Sequence, residues 1–295
     1  MNSSARKLLT WTAYPGVMLV SLILFYALTA WGVNLTISSY VAVVVGGFGL
    51  VTFLELALPY RREWLPNWSE VKTDFVFMVV VQVLLPFLLS IAATTWLVDA
   101  IAAKGWNVQG LWPHGAPIWL QMLLMMAAAD LLRYWLHRAS HTLIPLWRLH
   151  AVHHSVHRLY WLNVGRFHPL DKSLQFLFDA LPFIVLGVSK DVLALYFVAY
   201  AINGFFQHSN VAVKLGWLNF IISGPELHRW HHSKTIAESN TNYGNNLIIW
   251  DLVFGTYLRP KDREVAELGL LNPEYPMEFL EQLKAPFIKG IDKAK

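Results

Sequence analysis

Four apolar runs constrain this chain more than any other feature, because each is long enough to cross a bilayer. They lie at Tyr14–Val33, Tyr40–Leu58, Phe75–Val98 and Ile118–Trp135. A helix rises about 1.5 Å per residue, so roughly 20 apolar residues span the hydrocarbon core. Charged residues make up only 14% of the chain, against roughly 25% in soluble domains. That is too little to cover a water-facing surface. It excludes a disordered chain and argues against a soluble enzyme. The first run is long for a signal peptide, and a second follows almost at once, so it reads as a retained helix. The expected fold is an all-α membrane protein with four or more transmembrane helices.

Local signals refine that picture. Gly46, Gly47 and Gly49 lie inside the second run without the rest of a nucleotide fingerprint, so close helix packing is the expectation. Pro86 marks a kink in the third run, and a loop with Lys104, Trp106, Trp112 and Pro113 follows. Asp130 and Arg133 close the fourth run as an i,i+3 pair. The stretch from Leu174 to Phe206 is apolar but broken by Gly187, Ser189, Lys190 and Asp191, and by Asp179 and Pro182, which suits two half-length pieces or a hairpin dipping into the membrane better than one straight span. The tail from Glu274 reads as an amphipathic helix. Three parts result: membrane helices in 1–120, a polar, histidine-bearing part in 121–260, and a tail in 261–295. Arg6–Lys7 and Arg61–Arg62 place their loops in the cytoplasm, and four spans return the chain there near residue 136. The net charge of +4 comes without a dense Lys/Arg stripe, so nucleic acid is not an expected partner.

Eleven of the twelve histidines lie between His137 and His232. They form an HxxxH (His137, His141) and two HxxHH motifs (His150, His153, His154; His228, His231, His232). On a helix, positions i, i+3 and i+4 fall within about 100° of arc, so each motif is expected to turn its imidazoles toward one point. Neutral imidazole is a ligand for iron, zinc, copper and nickel. Eight clustered histidines exceed one four-ligand site, so a dinuclear centre is the economical reading. His208 and His168 are further candidates, either as ligands or as groups that orient a ligand. The isolated His114 and His157 read as structural.

Other chemistries lack their residues. The chain has no cysteine, which removes disulfides, iron–sulfur clusters and thiolate ligands. No ExxH pair, HExxH, GxSxG, Walker loop or GxGxxG is present. Redox chemistry would therefore draw electrons from another protein.

The residues from Asp130 to Tyr257 closely resemble the fatty acid hydroxylase/sterol desaturase superfamily. The matching elements, in order, are Asp130, Tyr134-Trp135, His137–His141, Pro145–Arg148, His150–Ser155, Asn163, Arg166, His168-Pro169, Gln207–Asn210, Pro225, His228–Ser233, Asn242–Gly244, Trp250-Asp251 and Phe254–Thr256. The resemblance implies transmembrane helices that anchor a cytosolic helical cap holding two iron ions per chain. It also implies dioxygen as co-substrate and hydroxylation, or desaturation, of a lipid, sterol or fatty acyl C–H bond. His137, His141, His150, His153, His154, His228, His231 and His232 take the metal-ligand role. His208 fits a further ligand position, and His168 matches only part of the superfamily. Reductant would arrive through a separate electron-transfer protein, a b-type cytochrome or a ferredoxin with its reductase. The expected location is a bacterial inner membrane, with the metal site on the cytoplasmic side.

Within that resemblance, ether-lipid or carotenoid oxygenation shares the same machinery. Two other classes compete. A histidine-based metal transporter would place its ligands along a path at the membrane midplane, whereas here they follow the spans. A metal-binding structural protein would not need complete clusters. Trp161, Phe167, Phe205 and Phe206 are candidate walls for an apolar pocket. Arg148, Arg166 and Arg229 suit either a lipid head group or the fixing of loops. Asp251 suits either a ligand histidine or a helix cap.

Overall fold

A computed structural model describes residues 2–105 and 108–291. Trp106 of the loop above lies outside them, as do residues 292–295 of the tail. Among the described residues the chain is helical, and its only β contacts are isolated bridges. Three helices are long and apolar enough to cross a membrane: α1 (Ser3–Ala30), α2 (Leu35–Ala57) and α3 (Trp68–Ala103). Asn34 caps α2, and a reciprocal capping box between Asn67 and Glu70 starts α3. Pro86 follows a π-helical segment, Met78–Leu84, inside α3, a local rewinding that absorbs the backbone N–H that proline lacks. Only 17% of the apolar window of α3 is buried, so most of that face requires lipid.

The fourth run folds as the first part of α4 (Ile118–Thr142). It is not among the three most apolar helices, because it carries the buried Gln121, Asp130 and Arg133. Its outward residues Trp119, Leu120, Leu123 and Leu124 are exposed apolar groups like those of α1–α3. The short α5 (Ile144–His154) follows at once. The apolar stretch after it breaks, but into three pieces rather than two: α6 (Pro169–Asp179), a single turn at Leu181–Val185, and α7 (Lys190–His208), which at 19 residues is longer than a half-span. The last histidine motif forms α8 (Pro225–His231), with a proline in its first turn.

The main core joins α1, α2 and α7 through residues such as Tyr14, Val17, Leu54, Ile202 and Phe206. Gly46 and Gly47 make this approach possible. A Cβ on Gly46 would lie 2.3 Å from Ser21 Oγ, and one on Gly47 would lie 2.2 Å from the Phe205 ring. A second cluster joins α4 to α7 through Met125, Ala129, Val192 and Tyr196. Among the described residues the tail forms one six-residue α-helix, Phe279–Lys284, docked on the histidine-bearing part. Gln282 Nε2 donates to Ser155 Oγ at 2.8 Å, and Phe279 packs on Phe77 of α3.

Candidate metal centre

Helices α4, α5, α7 and α8 bring nine histidines into two adjacent groups. The first holds His137, His141, His150, His154 and His231, and the second holds His153, His208, His228 and His232. Within each group the candidate ligand atoms lie within 4.8 Å of one another. The ring centroids of His154 and His232, one from each group, are 4.6 Å apart.

Each HxxHH motif divides between the groups, which corrects the expectation that its three imidazoles meet at one point. His150 and His154 join the first group while His153 joins the second. His228 and His232 join the second while His231 joins the first. The reason is angular. Position i+4 lies about 40° from i on one side of the helix, and i+3 lies about 60° away on the other. The i,i+4 pair therefore shares one focus, and the residue between them reaches a different one. In this way two short helices each serve both groups.

Hydrogen bonds orient most of the rings. His137 Nδ1 donates to Tyr243 O at 2.8 Å, His141 Nδ1 to Asn240 Oδ1 at 3.1 Å, and His150 Nδ1 to Asp171 Oδ2 at 2.8 Å. His231 Nδ1 donates to Thr241 O, His153 Nδ1 to Arg166 O, and His208 Nδ1 to Asn163 Oδ1. An oxygen acceptor places the proton on Nδ1 and leaves a lone pair on Nε2. His137 Nε2 and His150 Nε2 then present lone pairs to each other at 3.0 Å. That contact is repulsive unless a cation lies between them. Two nitrogens bound at right angles, each about 2.1 Å from one metal, are roughly 3.0 Å apart. The donor set therefore fits a transition metal.

Protons are disfavoured on most of the other grouped rings. Burial, reinforced by neighbouring histidines, pushes His153, His154, His228 and His232 well below the usual histidine range, and His208 down to about 3. Burial also brings His231 down to about 3, against the pull of its bond to Thr241. For Asp171 burial acts upward, but the opposing influence of His150 prevails and holds the carboxyl below its usual range.

His168 is a correction. It joins neither group. Its Nδ1 accepts from Leu170 N and caps α6, and its Nε2 donates to Leu283 O of the tail at 3.2 Å. Both nitrogens are thus committed to the fold. The three arginines also hold loops. Arg166 pairs with Asp74 of α3, Arg229 donates to Ser209 O and Val211 O, and Arg148 donates to Ile288 O. Among the described residues Asp251 makes no hydrogen bond to a histidine. It accepts from Tyr243 N, Gly244 N and Thr256 Oγ1, and so fixes the turn whose Tyr243 carbonyl orients His137. Asn242 enters that turn with φ 54°, a conformation asparagine tolerates.

A cavity of about 630 Å³ opens onto the histidines. His137 and His150 of the first group and His153, His208 and His228 of the second lie in its wall. The remaining wall is mainly apolar and comes from α2, α3 and α7, including Val43, Phe48, Phe75 and Phe197. Trp161, Phe167 and Phe205 line it as expected, and Phe167 stacks on His153 with ring centroids 4.0 Å apart. Phe206 is instead fully buried against Tyr14.

The fatty acid hydroxylase family model matches residues 122–256, the stretch that carries all nine grouped histidines. The chain is also 33% identical over 240 residues to Ornithine lipid hydroxylase OlsE of Rhizobium tropici, covering 81% of this chain and 72% of that relative. The chain belongs to the fatty acid hydroxylase family. Alkylglycerol monooxygenase of Danio rerio is 31% identical over 182 residues, which is 60% of this chain and 38% of that protein. Delta(7)-sterol 5(6)-desaturase of Leptosphaeria maculans is 29% identical over 151 residues, 49% of this chain and 38% of its own length. No solved structure matches the chain. Sequence reasoning missed Asn163, Asn240, Thr241 and Tyr243 as orienting groups. Two of them act through backbone carbonyls, which no side-chain motif announces.

Proposed function

We propose that this protein is a membrane-bound, non-haem di-iron monooxygenase that hydroxylates a lipid. The observation that carries this reading is one cavity that is mainly apolar and ends on inward-facing imidazoles. The overall reaction is lipid–H + O₂ + 2 e⁻ + 2 H⁺ → lipid–OH + H₂O. The electrons come from a separate carrier, a b-type cytochrome or a ferredoxin with its reductase. Hydroxylation is favoured over desaturation because the relative aligned over 81% of the chain is a hydroxylase, whereas the desaturase aligns over 49%. In this reading α4 is a fourth span, the histidine-bearing helices form a cytoplasmic cap, and the membrane is a bacterial inner membrane.

The nine grouped histidines would hold two irons, the first five on one ion and the other four on its neighbour. Iron bound there supplies an oxidising power toward C–H bonds that no side chain has. The protein's own residues do the rest. Asp171 keeps a proton on His150 Nδ1 so that Nε2 stays free to bind. Tyr243 O and Thr241 O do the same for His137 and His231. Phe48, Trp161, Phe167 and Phe205 exclude water and align an acyl chain.

The test is ¹⁸O₂ turnover by iron-loaded protein in nanodiscs with a chemical reductant and a panel of polar, ether and neutral lipids. One ¹⁸O atom per product is expected. Absence of ¹⁸O from every lipid, with iron present and reduced, would overturn the reading.

A further inference from the structure

The metal end of the cavity is more polar than a hydrocarbon substrate requires. Arg133 lies in its wall and is only 7% exposed. Among the described residues its one ion pair runs from Nε to Asp179 Oδ2 at 3.8 Å, too long for a hydrogen bond, and neither Nε nor Nη1 makes a hydrogen bond. Asp130, one turn earlier on α4, is taken by Asn246 N, Asn246 Nδ2 and Leu247 N. Asn245 Nδ2 and Gln82 Oε1, from the same wall, also lack partners. A buried guanidinium left this loosely paired is costly, and the cost is recovered when an anion arrives.

From this arrangement we infer that the substrate enters head first and places an anionic oxygen head group, a carboxylate or a phosphate, on Arg133. The inference rests on the lipid-oxidation reading above. Arg133 and His137 are four residues apart on the same helix, about 6 Å along its axis. A head group held by Arg133 therefore puts itself and the first carbons of its chain beside the histidines, while the tail runs out along Phe48 and Phe197. Arginine's planar fork suits either anion. Arg133 is thus a specificity residue, and the oxidised C–H bond lies at or near the head rather than in mid-chain.

The experiment measures equilibrium binding of four lipids to the iron-loaded protein: an N-acylated amino acid, its methyl ester, phosphatidic acid and diacylglycerol. At least one anionic lipid is expected to bind about tenfold to a hundredfold more tightly than its neutral counterpart. The pair with the larger ratio names carboxylate or phosphate as the head group. Arg133→Gln should erase that ratio without changing iron content or the affinity of the neutral lipids, and Arg133→Lys should keep part of it. Equal binding of charged and neutral lipids, or an equal loss for all four in Arg133→Gln, would overturn the inference. The comparison on the unaltered protein decides even if Arg133→Gln fails to fold. Tandem mass spectrometry of the product should place the new hydroxyl on the head or the first few carbons, and a mid-chain hydroxyl contradicts this. Anion preference without any oxidation would instead fault the lipid-oxidation reading and leave the anion site standing.

Discussion

The two histidine groups are built from the same motifs but are braced differently. In the first, four of five rings donate Nδ1–H to a fixed oxygen: Tyr243 O, Asn240 Oδ1, Asp171 Oδ2 and Thr241 O. In the second, only His153 and His208 do so, while His228 Nδ1 and His232 Nδ1 have no partner. Only the first group carries a carboxylate bond, from Asp171. Outer hydrogen bonds of this kind fix the tautomer and raise ligand basicity. The difference teaches that ligand count and ligand quality are separate. The first group should hold its metal more tightly, and the second should be the one that yields.

The most severe way to break the comparison is to remove one ligand from each side. His150→Ala and His228→Ala should each lose about one metal equivalent per chain and cut turnover by at least about a hundredfold, more than the loss of an outer partner costs. Metal analysis beside turnover checks this, and a variant that keeps both metals and full rate would contradict the grouping. A smaller effect is expected from Asp171→Asn, which should weaken the first group about tenfold to a hundredfold. In a chelator titration at equilibrium, the unaltered protein should release the second group's metal first, and Asp171→Asn should narrow or reverse that order. A single release step in both proteins would show that the groups do not differ.

How far this centre was legible in the sequence depends on the kind of contact. Spacing alone marked the eight clustered histidines, because an i,i+4 relation survives in any helix. The sharing of each motif between two groups was missed, because i, i+3 and i+4 read as one arc although i+3 and i+4 fall on opposite sides of i. The resemblance already favoured His208 over His168 as a ligand, but position in the sequence alone decided neither. Packing separates them: α7 delivers His208 fully buried beside His228, whereas His168 turns away to cap α6. The broken stretch around Gly187 was readable from composition. The docking of the tail was not, because Gln282 and Leu283 carry no pattern that names Ser155 or His168 as partners.

Acidification should weaken both groups alike. Burial lowers His231 and His208 to about 3, from about 6.5 in an unfolded chain. Between those values the unfolded state binds more protons, so metal-free stability is full above about pH 6.5 and falls as pH drops toward 3. Thermal midpoints in detergent at pH 7 and pH 5 check the sign, and a midpoint that rises on acidification would contradict it. The smallest effect belongs to His168, outside both groups. His168→Ala should keep full metal content and lose about 1 kcal/mol of stability with its helix cap, and His168→Asn should restore most of it.

The most direct test of the central claim, that two adjacent histidine groups hold a pair of irons, is Mössbauer spectroscopy with metal analysis. The protein would be grown on iron-57 and purified without oxygen. Two irons per chain with the signature of a coupled pair are expected, each lost separately in His150→Ala and His228→Ala. A single uncoupled iron, or full turnover in protein that contains no iron, would contradict the account.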